Sequence, residues 1–170
     1  LWQLQRDARN RRITAATPMQ ISGPLRGDPR MRTAWSRDGT RARGTLNNCA
    51  HGVTPWGTYL ACEENWRDYF VRDRGPAPVT LTRYGVEPMD GWRWHLAAGN
   101  AEEDPGQFAR FDASRRGESA EEDFRNEPHA FGWVVEIDPF DPQSQPVKRT
   151  AFGRYCRECS VLSLGEDGRM

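Results

Sequence analysis

The sequence predicts an all-β chain built of short strands, and three observations predict it. Sixteen glycines and twelve prolines punctuate the 170 residues, which interrupts long helices and marks turns. Few windows place apolar residues at helical spacing. In residues 131–138, Trp133, Val135 and Ile137 alternate with Val134, Glu136 and Asp138, the period of a strand with one apolar and one half-polar face.

Taken in chain order, residues 40–46 and 56–63 read as two strands of a first hairpin. The polar, glycine-containing segment 47–55 joins them as a loop too long for a tight turn, a place where binding groups tend to sit. Residues 72–128 are rich in Arg, Glu, Asp, Gly and Pro, with isolated aromatics at Tyr84, Trp92, Trp94, Phe108 and Phe111. They read as a loop-rich insertion within one partial domain spanning 1–170. The acidic group Glu118, Glu121, Glu122 and Asp123 lacks the calcium-loop spacing and reads as solvated charge. Residues 131–138 and 147–152 form the clearest hairpin. Pro139, Pro142 and Pro146 belong in its connection because proline cannot donate to a ladder. Strand pairs that recur with turns between them suit propeller blades.

Composition narrows the partners. Lys plus Arg and Asp plus Glu both number 24, for zero formal charge, so no extended basic face invites nucleic acid. Arg9, Arg11 and Arg12 read as surface. No apolar run is long enough to span a bilayer, and no leader pattern is visible. Leu, Ile, Val and Phe make up 27 of 170 residues, below the roughly 20% at which disorder becomes a fair reading, but disorder also wants a high net charge, which is absent here. Seven Trp and seven Phe also supply large buriable side chains. This combination reads as folded material lacking some core partners, an internal fragment with both ends cut.

Chemistry concentrates in residues 44–65. A strand running to Cys62, Glu63, Glu64 and Asn65 brings a thiol and two carboxylates to one strand end. Alternation sends Cys62 and Glu64 to one side and Glu63 to the other, unless a bulge intervenes. Carboxylates suit calcium and a thiolate suits iron or zinc, while a buried Cys62 beside solvated glutamates accounts for the same residues without a metal. Cys156-Arg-Glu-Cys159 is a C-x-x-C without a second pair at zinc spacing or a βαβ setting for redox catalysis. His51, His95 and His129 sit in unrelated contexts. No nucleophile elbow, zinc-protease or phosphate-loop motif occurs, and no catalytic residue is assigned.

The strings Gly44-Thr-Leu-Asn-Asn-Cys-Ala-His-Gly-Val-Thr-Pro-Trp-Gly-Thr-Tyr-Leu-Ala-Cys-Glu-Glu-Asn65, Phe131-Gly-Trp-Val-Val-Glu-Ile-Asp-Pro-Phe-Asp-Pro142, Pro146-Val-Lys-Arg-Thr150 and Leu164-Gly-Glu-Asp-Gly-Arg-Met170 closely resemble the PhoX family of alkaline phosphatases. The resemblance implies a six-bladed β-propeller with long loop insertions, of which this chain supplies about two blades. It implies phosphate monoester hydrolysis at an iron and calcium cluster, with export by the twin-arginine route to a periplasmic or secreted location. The substrate is then a phosphomonoester, and the isolated fragment is expected to be inactive. Carried over onto this chain, the metal ligands are Cys62, Glu63, Glu64 and Glu158, with Cys49 as the alternative thiolate. The family's Arg-Phe-Lys-His-Glu-Gly stands here as Arg154-Tyr-Cys-Arg-Glu-Cys159, which keeps Glu158 and replaces the lysine, histidine and glycine. Two other readings are a non-catalytic calcium-binding propeller and a degenerate, inactive homologue.

Overall fold

The structure, a computed structural model, describes residues 18–88, 91–97 and 106–169, together with the backbone of 5–6 and 13–15. Arg9, Arg11 and Arg12 lie outside the described residues. Among the described residues are eight short strands: β1 (Gln5–Arg6), β2 (Ile13–Ala15), β3 (Met19–Ser22), β4 (Arg41–Ala42), β5 (Asn48–Val53), β6 (Tyr59–Glu63), β7 (Val134–Ile137) and β8 (Val147–Arg149). Among these residues helix is confined to single 3-10 turns and one four-residue α-helix, α1 (Val79–Thr82). Sheet with little helix is the class that the turn-rich composition predicts.

β1 and β2 pair with each other, and the other six form one sheet in the order β4-β3-β8-β7-β6-β5. All its neighbours are antiparallel except β3 and β8, which run parallel. Strands β3 to β8 therefore form one continuous mixed sheet, separate from the β1–β2 pair. The expected terminal hairpin is present: Val134, Val135 and Glu136 pair with Arg149, Lys148 and Val147. Its second strand is shorter than expected. Residues 150–152 turn into a 3-10 helix, where the Thr150 hydroxyl donates to the Ser22 carbonyl at 2.6 Å instead of extending the ladder.

The first hairpin is shifted from its expected position. Residues 48–53, expected as a loop, are themselves strand β5 and pair with β6, whereas Arg41 and Ala42 pair with β3. The turn is 54–58. Its ends are joined by the Thr54 amide donating to the Thr58 carbonyl at 2.9 Å, and Gly57 takes a positive φ of 92° that other residues resist. β5 was hidden in the sequence because it is an edge strand with almost every residue exposed, so no alternation marks it.

The core lies against one face of the sheet. In register, Ala61, Val135, Lys148 and Ile21 stand side by side across β6, β7, β8 and β3. Trp66, Phe70, Phe111 and Phe131 cover that row from the loops. Residues 72–128 contribute Leu81, Val86 and Phe111 to the same core, and Val71 bridges to Asp112. The acidic group there divides. Asp123 is buried and bonds to Arg125 at 2.6 Å, a correction to the solvated reading, while Glu122 is exposed. Burial alone would raise the Asp123 carboxyl, but Arg125 and the Gly117 and Arg116 amides together hold it far below the usual range.

Candidate functional site

The β5–β6 hairpin and the segment 153–160 meet at the end of β6. Alternation places Leu60 and Cys62 on one face and Ala61 and Glu63 on the core face, as the sequence predicts. The register then slips: Asn48 pairs with Glu63 but His51 pairs with Ala61, so β5 carries one extra residue. This bulge takes Cys49 out of the regular pairing register beside the strand end that leads into Glu64.

Glu63 is fully buried and anchors three segments. One carboxylate oxygen accepts from the Thr45 hydroxyl at 2.8 Å, the Leu46 amide at 3.1 Å and the Lys148 ammonium at 2.8 Å. The other accepts from the Gly132 and Trp133 amides at 2.8 and 3.1 Å. Lys148 is also fully buried. It donates to the Ala130 carbonyl at 2.7 Å and stands 4.0 Å from the centre of the Phe131 ring. Burial pulls its ammonium below the ordinary value, and Glu63 pulls in the opposite direction. Sequence reading missed Lys148, whose neighbours Val147 and Arg149 do not mark it as a core residue.

The chain after β8 returns to this place. Arg154 is buried between the Trp66 and Tyr84 rings, at 4.2 and 4.5 Å from their centres. It donates to the carbonyls of Phe131 and Thr80, and burial lowers it to about 10. The Tyr155 amide donates to Gly132, and the Arg157 amide to the Glu63 carbonyl at 2.9 Å. Ser160 then lies on Gly52: a Cβ there would stand 1.7 Å from the Ser160 carbonyl oxygen. Residues 157–160 thus form a strap over the Leu60–Cys62 face, and Gly52 is the residue that lets it approach.

This return brings Glu158 close enough for its charge, with that of Glu64, to act on Cys49. The Cys49 thiol is exposed and within the field of the Glu64 and Glu158 carboxylates. Desolvation first, then Glu64 and the Glu158 charge, raises it above its ordinary value. Cys62, in contrast, is fully buried. Burial raises it, Arg157 opposes that, and Cys159 and Cys49 add to it. Among the described residues no three His, Cys, Asp or Glu side chains are grouped so that they could hold a metal ion.

His129 marks a second polar place, on the core side. It is buried, its Nε2 is 3.0 Å from the Thr80 hydroxyl, and its Nδ1 has no hydrogen-bond partner. It borders a cavity of about 220 Å³ that Tyr84, Trp133 and Arg154 also line. Burial first, then the Arg154 charge, lowers its pKa to about 3.

Comparison with known proteins adds the following. A family model described as alkaline phosphatase PhoX matches residues 1–170. The solved structure of Pseudomonas fluorescens PhoX in complex with vanadate, a transition state analogue, aligns with a TM-score of 0.72 and 42% sequence identity over 89% of this chain. The alignment covers 23% of that chain, so the present chain spans about a quarter of its length. No curated protein matches.

Proposed function

This chain belongs to the alkaline phosphatase PhoX family, and from that premise we propose that it supplies one edge of a metal-dependent phosphomonoesterase site within a longer propeller protein. What supports the proposal is that the Glu64 and Glu158 carboxylates, from separate stretches of sequence, both act on the exposed Cys49 thiol. The vanadate complex of the Pseudomonas fluorescens relative supports phosphoryl transfer as the chemistry, with a phosphomonoester as substrate. Family resemblance is the support for iron and calcium as the metals, for the six-bladed propeller and for a periplasmic or secreted location. Among the described residues no helix is long and apolar enough to cross a membrane.

In this proposal Glu64 and Glu158 are carboxylate ligands and Cys49 is the thiolate. Exposure favours Cys49 over Cys62, which has no accessible surface. Glu63 has both oxygens taken by protein donors, so its role is to hold the neighbouring strand end in place. Bound metal ions would supply charge neutralisation on the phosphoryl oxygens and a lowered pKa for water. The chain's own residues do the positioning. The β5 bulge takes Cys49 out of register, β6 leads into Glu64, and the Arg157 amide fixed to the Glu63 carbonyl delivers Glu158.

The test is metal content and phosphomonoester turnover measured together in the full-length protein. Cys49→Ser is expected to lower both by roughly 10-fold or more, whereas Cys62→Ser leaves both close to the parent. The opposite pattern would return the thiolate role to Cys62. A full-length protein that binds calcium alone and releases no phosphate would replace the enzyme reading with a binding module.

A further inference from the structure

We propose that Cys62 and Cys159 form a disulfide under oxidising conditions, which fastens the strap 157–160 onto the β5–β6 face. The argument starts from two fixed points on the strap. Arg157 is held by its amide to the carbonyl of Glu63, the residue next to Cys62. Ser160 is held directly above Gly52, which pairs with Leu60, the residue two before Cys62 on the same face. Cys159, one residue before Ser160, therefore lies on the short path from Glu63 at the end of β6 to Gly52 on β5, across the face that carries Leu60 and Cys62. The charges agree with the placement: Cys62 is influenced by Arg157, then by Cys159 ahead of Cys49.

Accessibility divides the roles. Cys159 is exposed and Cys62 is buried beneath the strap. Glutathione disulfide, a small thiol–disulfide oxidant, can reach Cys159 and form a mixed disulfide there, releasing one glutathione thiol. The Cys62 sulfur then attacks the Cys159 sulfur. The new S–S bond forms, the bond to glutathione breaks, and a second glutathione thiol leaves. Two protein thiols have been oxidised and one glutathione disulfide has been reduced to two thiols, so atoms and electrons balance. The closed loop holds Glu158, the residue before Cys159, at its place on the strap. Bond formation itself does not depend on the phosphatase reading.

The experiment is a peptide map of the full 170-residue chain after incubation with glutathione disulfide, run without reduction. A peptide joining Cys62 to Cys159 is expected. Cys159→Ser should abolish it, and Cys156→Ser should leave its yield unchanged within about twofold. Limited proteolysis at Arg157 should also be several-fold slower in the oxidised chain than in the reduced one. The proposal is overturned if Cys159 is found joined to Cys49 or Cys156, or if Cys62 and Cys159 are both alkylated as free thiols after the incubation. It is equally overturned if Cys159→Ser still gives the slow proteolysis after oxidation.

Discussion

Replacing Glu63 by alanine should destabilise the fold by about 3–5 kcal/mol, the usual cost of leaving the partner of a buried ion pair uncompensated. The substitution strands the Lys148 ammonium, which is fully buried, and it removes the acceptor for the Leu46, Gly132 and Trp133 amides and the Thr45 hydroxyl. Each unpaired buried donor adds a desolvation penalty of about 1–3 kcal/mol, although local relaxation and water entry absorb part of the sum. Lys148→Met should cost less than Glu63→Ala. It leaves the carboxylate four of its five donors, and a methionine fits the apolar surroundings of Phe131. Adding Lys148→Met to Glu63→Ala should therefore recover part of the loss, a non-additive result. Amide hydrogen exchange at Leu46, Gly132 and Trp133 reports this directly, in the chain or in a longer protein. Unchanged protection at those three amides in Glu63→Ala would mean that the hub does not hold these segments.

Acid should destabilise the fold through His129, the second large effect. Its pKa is lowered from 6.5 to about 3 in the folded state, so the folded protein keeps the imidazole neutral where the unfolded chain protonates it. The contribution is thus fully present above the unfolded value of about 6.5 and is lost as pH falls toward the folded value. The slope approaches about 1.4 kcal/mol for each pH unit in that window, or roughly 2–3 kcal/mol between pH 6.5 and pH 4.5. The charged groups acting on His129 are Arg154 and Arg30, which disfavour its protonation, and Asp28, which favours it. Asp28 itself is lowered to about 2, by its hydrogen bond from Arg30. Its contribution disappears only below the ordinary carboxylate range, so the two windows separate. Denaturant midpoints measured across pH 7 to pH 4.5 should fall for the parent and flatten for His129→Gln. An equal slope in the variant would assign the acid sensitivity elsewhere.

These two predictions involve groups that sequence reading treated very differently. His129 stood among three unassigned histidines, and its burial comes from residues 128–131 lying under Trp133 and beside Arg154. Glu63 was carried as a metal ligand on the strength of its string. Yet the same alternation that sent it away from Cys62 and Glu64 already pointed it toward the core.

What the sequence determined by itself is local. The proline-bounded hairpin of β7 and β8, the turn-rich all-β character and the opposite facing of Cys62 and Glu63 all follow from a two-residue period and the restrictions of proline and glycine. Tertiary structure decided the rest, because the deciding contacts join residues far apart in the chain. Lys148 reaches Glu63 across 85 residues, and no pattern around Val147 or Arg149 signals a partner. The extra residue in β5 is defined only by what it faces on β6, and that slip, not any motif, places Cys49 beside the strand end that leads into Glu64. Asp123 sits in an acidic run that looks solvated, and becomes buried because Arg125 and two amides enclose it. The strap carrying Glu158 lies where it does because Gly52 has no side chain to displace it. Periodicity records which face a residue occupies, and only the pairing of distant segments determines what that face meets.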